Sequence, residues 1–194
     1  MQARLRIAVV ERDMERAHQV VDALSDAGDY EVSVIGDEAG LARRLKRLDP
    51  DLVLIDVANP SRDMLEELTI ASSPLERPVA MFVDRTDDAL TAAAIEAGMS
   101  AYVVDGLRSD RIKPVLDAAI ARFNMVSRMR RELEATRAAL AERKMIDRAK
   151  GLLMAARGVG EEEAYGMLRR AAMDQGKKIG EVAAALVTAA ELLK

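Results

Sequence analysis

Apolar residues in the first 120 positions fall into five short runs, and the stretches between them mix apolar and polar residues at helical spacing. Each run is almost wholly apolar, as strands are when helices cover both faces of a parallel sheet. The runs are LRIAVV (5–10), EVSVI (31–35), LVLID (52–56), PVAMFV (78–83) and AYVV (101–104). Helices are predicted near 14–27, 38–48, 62–71 and 86–97. This pattern predicts a doubly wound α/β domain of flavodoxin-like order, with its functional edge at the carboxyl ends of strands one and three.

Beyond residue 112 the helical spacing continues without a break, and leucine and valine recur every seven residues. This repeat is typical of a coiled coil, although Arg130 and Arg137 interrupt its seam. The residues that would line a dimer interface are Phe123, Val126, Leu133 and Leu140. The pattern therefore predicts a long helix, which either dimerises through this seam or packs on its own domain.

The last fifty residues contain three amphipathic segments. Gly158 and Gly160 separate the first from the second, and the stretch DQGKK (174–178) separates the second from the third. No segment this short is stable alone, so the three predict a small helical bundle. Gly160 is a suitable N-cap for the second helix. We therefore divide the chain into a domain at 1–122, a linker helix at 123–142 and a bundle at 143–194.

The charge of the chain is uneven, because residues 1–123 carry a net charge of −8 and residues 124–194 a net charge of +4. A basic module is compatible with a polyanionic partner. The chain has no cysteine, so disulfides and cysteine-based metal sites are excluded. It shows neither a signal peptide nor a membrane-spanning stretch. We therefore expect a cytoplasmic protein without a membrane partner, metal ion or cofactor.

The strand-end sequence LVLIDVANP (52–60) and the later AGMSAYVVD (97–105) resemble the receiver domain of bacterial response regulators. The resemblance covers about residues 5–122 and implies the receiver fold. It also places Asp56 where those domains carry their phosphoacceptor.

The residues that support phosphorylation in receiver domains are altered in this chain. An acidic pair should follow the first strand to hold a divalent cation, but Glu11 is followed by Arg12, with Asp13 one residue later. The hydroxyl residue at the end of strand four is replaced by Val83, and the lysine after strand five is replaced by Asp105. We therefore expect a degenerate site in which Asp56 takes up no phosphate and instead caps the loop that follows its strand.

Cationic and aromatic side chains lie at helical spacing in the bundle. Arg143, Lys150 and Arg157 are seven residues apart and form a stripe, beside which Gly151 leaves the backbone open to a phosphate. Tyr165 and Arg169 are one turn apart, a pairing suited to stacking on unpaired bases. The alternative is a solvated basic face with a half-buried tyrosine.

The segments AKGLLM (149–154) and EEEAYGMLRRAAM (161–173) resemble the ANTAR domain, an RNA-binding antiterminator module of bacterial regulators. The resemblance runs from about residue 143 to 193 and includes Met154. It departs from the family where Gly160 replaces the usual serine or threonine cap. It implies that the stripe and the Tyr165–Arg169 pair bind RNA.

The combination of a receiver-like domain, a linker helix and an ANTAR-like tail, with RPVAMFVDRTDDA (77–89) and SAYVVDGL (100–107), resembles NasT-type nitrate-assimilation antiterminators. The resemblance implies a non-enzymatic regulator that binds two hairpins of a leader mRNA as a weak homodimer and prevents terminator formation. It also implies a nitrate- or nitrite-sensing inhibitor protein, similar to NasS, as the controlling partner. The alternatives are a phosphorylation-dependent, DNA-binding response regulator and a protein-interaction adaptor.

Overall fold

The structure is a computed structural model that describes residues 4–36, 40–104 and 106–192. The chain divides into two compact units, Met1–Arg128 and Met129–Lys194. The long helix α5, Ser109–Arg157, contributes residues to both units.

The first unit contains a five-stranded parallel sheet with the strand order β2-β1-β3-β4-β5. Its strands are β1 (Leu5–Val10), β2 (Tyr30–Ile35), β3 (Leu52–Val57), β4 (Val79–Val83) and β5 (Ala101–Val104). The helices between them are α1 (Met14–Ala27), α2 (Leu41–Leu48), α3 (Arg62–Ser72) and α4 (Asp88–Glu96). The predicted doubly wound α/β fold is confirmed. Helix α2 begins at Leu41, and its predicted start at residue 38 lies outside the described residues.

Hydrophobic clusters cover both faces of this sheet, which explains why its central strands are almost wholly apolar. Ile55 and Met81 pack on one face, while Leu54 and Phe82 pack on the other. All five residues of β4 are buried. Burial of each large side chain contributes roughly 1.5–3 kcal/mol, so the centre of the sheet is a firm support for the loops at its edges.

Helix α5 begins on the first unit, where Ile112, Leu116 and Ala119 are buried against the sheet. In this part of the helix, packing on its own domain accounts for the apolar residues. Phe123 is half-buried and borders a cavity with Pro78. Further along, the remaining residues of the predicted seam are exposed: Val126 by 42%, Leu133 by 50% and Leu140 by 54%.

The second unit packs the end of α5 against α6 (Glu161–Gln175) and α7 (Ile179–Leu192), as predicted for a three-helix bundle. Its core contains Ala149, Leu168, Ala183 and Val187. Gly160 is the N-cap of α6, with extended backbone and no side chain to accept a hydrogen bond. Within the described residues, no helix combines the length and apolar character needed to cross a membrane.

Candidate functional site

Three carboxylates meet at one edge of the sheet because β1, β3 and β4 are neighbours and run in the same direction. Glu11 follows β1, Asp56 lies near the end of β3, and Asp84 follows β4. Asp56 is only 3% exposed and Glu11 only 7%. Carboxylates this buried require a cation or hydrogen-bond donors close by, since burial of an unpaired charge is very costly.

Arg16 on α1 supplies that cation. Its Nε and Nη2 atoms donate to the two oxygens of Asp56 at 3.2 and 2.9 Å. Its Nη1 and Nη2 atoms donate to the two oxygens of Asp84 at 2.8 and 3.2 Å. Nε also lies 3.3 Å from Oε2 of Glu11. A single guanidinium therefore joins the ends of three strands, using the two-pronged geometry in which arginine binds carboxylates most strongly.

The start of α1 holds Arg16 in this position. The Asp13 side chain accepts hydrogen bonds from the backbone N–H groups of Glu15 and Arg16, so it is the N-cap of the helix. The backbone N–H of Asp13 in turn donates to Oε1 of Glu11 at 2.8 Å. Arg16 thus lies in the first helical turn, directly beside the strand ends.

Gly106 makes room for Asp84 on the other side. Its φ of +71° favours glycine, and a Cβ atom there would lie 3.0 Å from Oδ1 of Asp84. The backbone N–H of Asp84 donates to the carbonyl of Ala58 at 3.0 Å, which fixes the loop after β4.

The pKa shifts follow from these contacts. The hydrogen bonds to Asp84 and then to Asp56 raise the pKa of Arg16 above its ordinary value. The same interaction with Arg16 lowers the pKa of Asp84. Burial raises the pKa of Glu11, and the charge of Asp56 adds to that rise. The hydrogen bonds with Asp84 and Asp56 therefore favour the charged form of Arg16, while burial disfavours the charged form of Glu11.

One expectation about this edge is corrected by the geometry. Asp56 does not cap the loop after its strand, because both of its oxygens accept from Arg16. The arginine that pairs with Asp56 is Arg16, whereas Arg12 borders a cavity of about 250 Å³ beside it. Val83 is buried at the end of β4, as an apolar residue in the place of a hydroxyl. Asp105 lies outside the described residues.

Sequence reasoning missed Arg16 and Asp84. A usable signal was present, since an acid ends or follows three strands that become neighbours in the predicted order. The first turn of α1 is also the natural source of a side chain above those strand ends. The spacing alone does not show which residue of that turn faces the strand ends, so it could not identify Arg16.

Receiver-type sites are expected to hold a divalent cation, and the residues at this edge do not fit one. A hard cation needs several oxygen ligands, but the oxygens of Asp56 and Asp84 are already engaged by a guanidinium. Among the described residues, no group of three or more His, Asp or Glu side chains is arranged to hold a metal ion.

In the second unit, the predicted RNA-binding residues are largely accessible. Arg143, Arg157 and Arg169 are exposed, Met154 is 38% exposed and Tyr165 is 44% exposed. Apart from the backbone of its own helix, a Cβ atom added at Gly151 would meet nothing within 4 Å.

Lys150 is the exception, because its ammonium group is already paired. Nζ lies 2.7 Å from Asp147 on the same helix and 2.6 Å from Oε1 of Glu161 at the start of α6. The hydrogen bonds to Asp147 and then Glu161 raise the pKa of Lys150. Its side chain is 15% exposed. Lys150 therefore joins α5 to the first turn of α6.

This ion pair brings the two predicted groups of RNA-binding residues together. Residues four apart on a helix share a face, so Glu161, Tyr165 and Arg169 line one side of α6. The first turn of that face touches Lys150. Met173, which is 72% exposed, continues the face by one more turn and was not predicted.

Comparison with known proteins agrees with both halves of this description. Residues 134–187 match the ANTAR domain family. The first unit is similar to the receiver domain of a CheY-like response regulator from Methanospirillum hungatei JF-1. That likeness has a TM-score of 0.54 at 18% identity and covers 63% of this chain and 98% of that one. It shows the fold alone. Together these findings define a chain that joins a receiver-type fold to an ANTAR domain.

Full-length relatives make the family assignment more definite. The transcriptional regulatory protein PdtaR of Mycobacterium tuberculosis H37Rv is 30% identical over 184 residues, which cover 93% of this chain and 84% of PdtaR. The DNA-binding response regulator MtrA of the same organism is 28% identical over 101 residues, covering 52% of this chain and 44% of MtrA. The chain belongs to the ANTAR-domain response regulators, the family of PdtaR.

Proposed function

We propose that this protein is an RNA-binding transcription antitermination regulator, which binds the loops of two hairpins in a leader mRNA and prevents a terminator from forming. The observation that carries the proposal is the exposed face of α6, which bears Tyr165 and Arg169 and whose first turn, at Glu161, contacts Lys150 of α5. We propose further that it acts by binding and catalyses no reaction.

The chemistry of this face suits unpaired bases. An aromatic ring and a guanidinium one turn apart offer two flat surfaces for stacking, which is how proteins commonly recognise bases in RNA loops. Stacking on an aromatic side chain contributes about 1–3 kcal/mol per base. Arg143 and Arg157 on α5 would contact the flanking phosphates, and the open backbone at Gly151 would let the strand approach closely beside Met154.

We propose that control comes from a partner protein rather than from phosphorylation, because Arg16 engages the oxygens of Asp56. The resemblance to NasT-type regulators suggests that the regulated genes serve nitrate or nitrite assimilation and that the partner is a nitrate- or nitrite-sensing inhibitor similar to NasS. The exposed Val126, Leu133 and Leu140 would then join two chains weakly on a two-hairpin RNA, with Phe123 at the edge of the seam. We also propose that the first domain ends at residue 122 and that the linker helix ends at residue 142.

An RNA-binding titration tests the proposal. The full chain should bind a two-hairpin RNA more tightly than a single hairpin and much more tightly than duplex DNA of the same length. Arg157→Ala should weaken binding and reduce the salt slope by about 0.7, the effect of losing one phosphate contact on single-stranded RNA.

Arg148→Ala is the matched control, since Arg148 lies on the opposite side of the same helix and is paired with Glu191. It removes the same charge from the same element. If the two variants change binding equally, the stripe on α5 is not the phosphate-binding surface. Preference for duplex DNA over the hairpins would instead favour a DNA-binding regulator.

A further inference from the structure

We propose that a groove between α2 and α3 is the docking surface for a partner protein that presents an acidic amphipathic helix. The groove is lined by Leu41 and Ala42 of α2 and by Leu68, Ile70 and Ala71 of α3. The apolar side of the partner helix would enter it, and the carboxylates of that helix would face the cations of α2. The inference deepens the proposed control by a partner protein, because it names the surface and the chemistry of the contact. It does not depend on RNA binding.

The groove is a mainly aliphatic cavity of about 330 Å³, which leaves room for the apolar side chains of a partner. Leu41 and Leu68 are buried and belong to the core on this face of the sheet. Ile70, by contrast, is 78% exposed. Exposed apolar surface beside a cavity is typical of an interaction site, since binding removes it from water.

Helix α2 places positive charge along one side of this groove. A Cβ atom added at Gly40, which also borders the groove, would lie 3.9 Å from Nη2 of Arg43. The Arg43 guanidinium is therefore at the rim. Lys46 follows Ala42 by four residues, so it lies on the side of α2 that lines the groove.

The cations of α2 are not balanced by the chain itself. The helix reads LARRLKRL, with four cations and no acid, although residues 1–123 carry a net charge of −8. The side chains of Arg43, Lys46 and Arg47 are exposed and form no ion pair with another described residue. Arg43 and Arg47 are one turn apart, and like charges at this spacing destabilise a helix. An acidic partner would relieve this repulsion, and charges at the rim of an interface speed association and select the partner.

The lining of the groove favours a protein over RNA as the partner. None of the described residues that line it is aromatic, whereas proteins recognise RNA bases largely by stacking on aromatic rings or guanidinium planes. Glu67 borders the groove on the α3 side and would repel a phosphate. Cations on one side and an acid on the other fit a helix whose apolar stripe is flanked by carboxylates on the side of α2. This is the helix-in-groove mode of recognition.

A fluorescence-anisotropy titration of the full chain tests this inference. The probe is a labelled synthetic peptide with leucines on one face of a helix and glutamates on the other. It should bind at least about tenfold more tightly than the same peptide with glutamine in place of glutamate. Arg43→Glu should weaken binding of the glutamate peptide about tenfold, because it replaces attraction by repulsion, and should leave the glutamine peptide unchanged. Ile70→Ser should weaken both peptides.

Lys113→Glu is the matched control, because it makes the same change of charge on an exposed helical residue. It lies on α5, which covers the face of the sheet opposite to α2 and α3. Its affinity for both peptides should equal that of the unmodified chain. Arg43 and Ile70 are both exposed, so their variants should keep the fold, which far-UV circular dichroism checks.

The inference is overturned if the glutamate peptide does not bind, if Ile70→Ser has no effect, or if Arg43→Glu and Lys113→Glu weaken binding equally. Titration with the two-hairpin RNA separates the other class of partner. If Arg43→Glu weakens RNA binding more than Lys113→Glu does, the cations of α2 bind phosphates and the inference is wrong. If the unmodified chain binds no RNA at all, the proposed antitermination function fails, while the peptide titrations still decide the role of the groove.

Discussion

Replacement of Arg16 by alanine should destabilise the first unit far more than the loss of an ordinary arginine. The change removes the cation that contacts Asp56, Glu11 and Asp84 and leaves two of these carboxylates buried. A surface pair provides the comparison, since Arg4 and Asp29 are joined at 2.8 Å with both side chains mostly exposed.

The size of the effect follows from burial. Removing one partner of a buried ion pair costs about 3–5 kcal/mol, because an unpaired charge remains inside the protein. Asp84 is exposed and adds little, and Arg16 is itself about a quarter exposed. We therefore expect the lower end of this range, about 3 kcal/mol. Arg4→Ala should cost roughly 0–1 kcal/mol.

The pH dependence provides a second test with a defined sign. Arg16 lowers the pKa of Asp84, so their pairing stabilises the unmodified chain above the ordinary carboxyl value of 3.8 and is lost as the pH falls through the lowered pKa. Glu11 behaves oppositely, because its pKa is raised and its protonation favours the fold. Without Arg16, which lowers the Glu11 pKa, burial of Glu11 would favour its protonated form still more. The stability deficit of Arg16→Ala should therefore shrink as the pH falls from 7 to about 5.

Hydrogen exchange measured by mass spectrometry can localise the effect, which a single melting curve of a two-unit chain cannot do. Peptides from Leu52–Val57 and Val79–Val83 should exchange faster in Arg16→Ala, and peptides from α6 should not. Arg16→Lys should fall between the two, since it keeps the charge and loses the two-pronged geometry. The reasoning is refuted if Arg16→Ala costs no more than Arg4→Ala, or if its deficit grows towards pH 5.

Three further predictions concern modification, RNA affinity and assembly. Incubation with acetyl phosphate and Mg²⁺ should leave Asp56 without a phosphate adduct, and a stoichiometric mass increase would contradict this. Glu161→Gln should remove one of the two acidic partners of Lys150, with Asp147 remaining, and should therefore tighten RNA binding and steepen the salt slope by up to about 0.7. Glu162→Gln should do less, and equal effects in a binding titration at several salt concentrations would rule out the specific pair. Leu133→Asp should abolish dimer formation on a two-hairpin RNA and lower the apparent affinity for it by a factor on the order of a hundred. Binding to a single hairpin should be unchanged. If sedimentation still shows a dimer, the exposed part of α5 is only a spacer.

The fold was readable from the sequence because its strands are buried on both faces, so each one is a nearly continuous apolar run. The limits of α1 and β5 agree with the prediction to the residue. The role of α5 was harder to read, since a seven-residue repeat reports an apolar face and not the surface that covers it. In the structure that face is shared: Leu116 packs on the sheet, while Leu133 is exposed.

The ion pairs were the least predictable part of both sites. Arg16 and Asp84 are 68 residues apart, and their contact depends on strand order and on the phase of a helix. Lys150 and Glu161 are separated by a turn whose path decides whether they meet. Spacing along the chain can place a charge on a face, but it cannot choose the partner of that charge.

The position of Arg16 also determines the order in which substitutions would have to be made to convert this site into one that accepts a phosphoryl group. Val83→Thr and Asp105→Lys would restore two side chains typical of receiver domains, yet the oxygens of Asp56 would still accept from Arg16 and offer no nucleophile. Neither change would allow phosphorylation until Arg16 had been replaced. Replacement of Arg16 alone carries the stability cost derived above. Any conversion of this site into a phosphate acceptor therefore begins with a destabilising step.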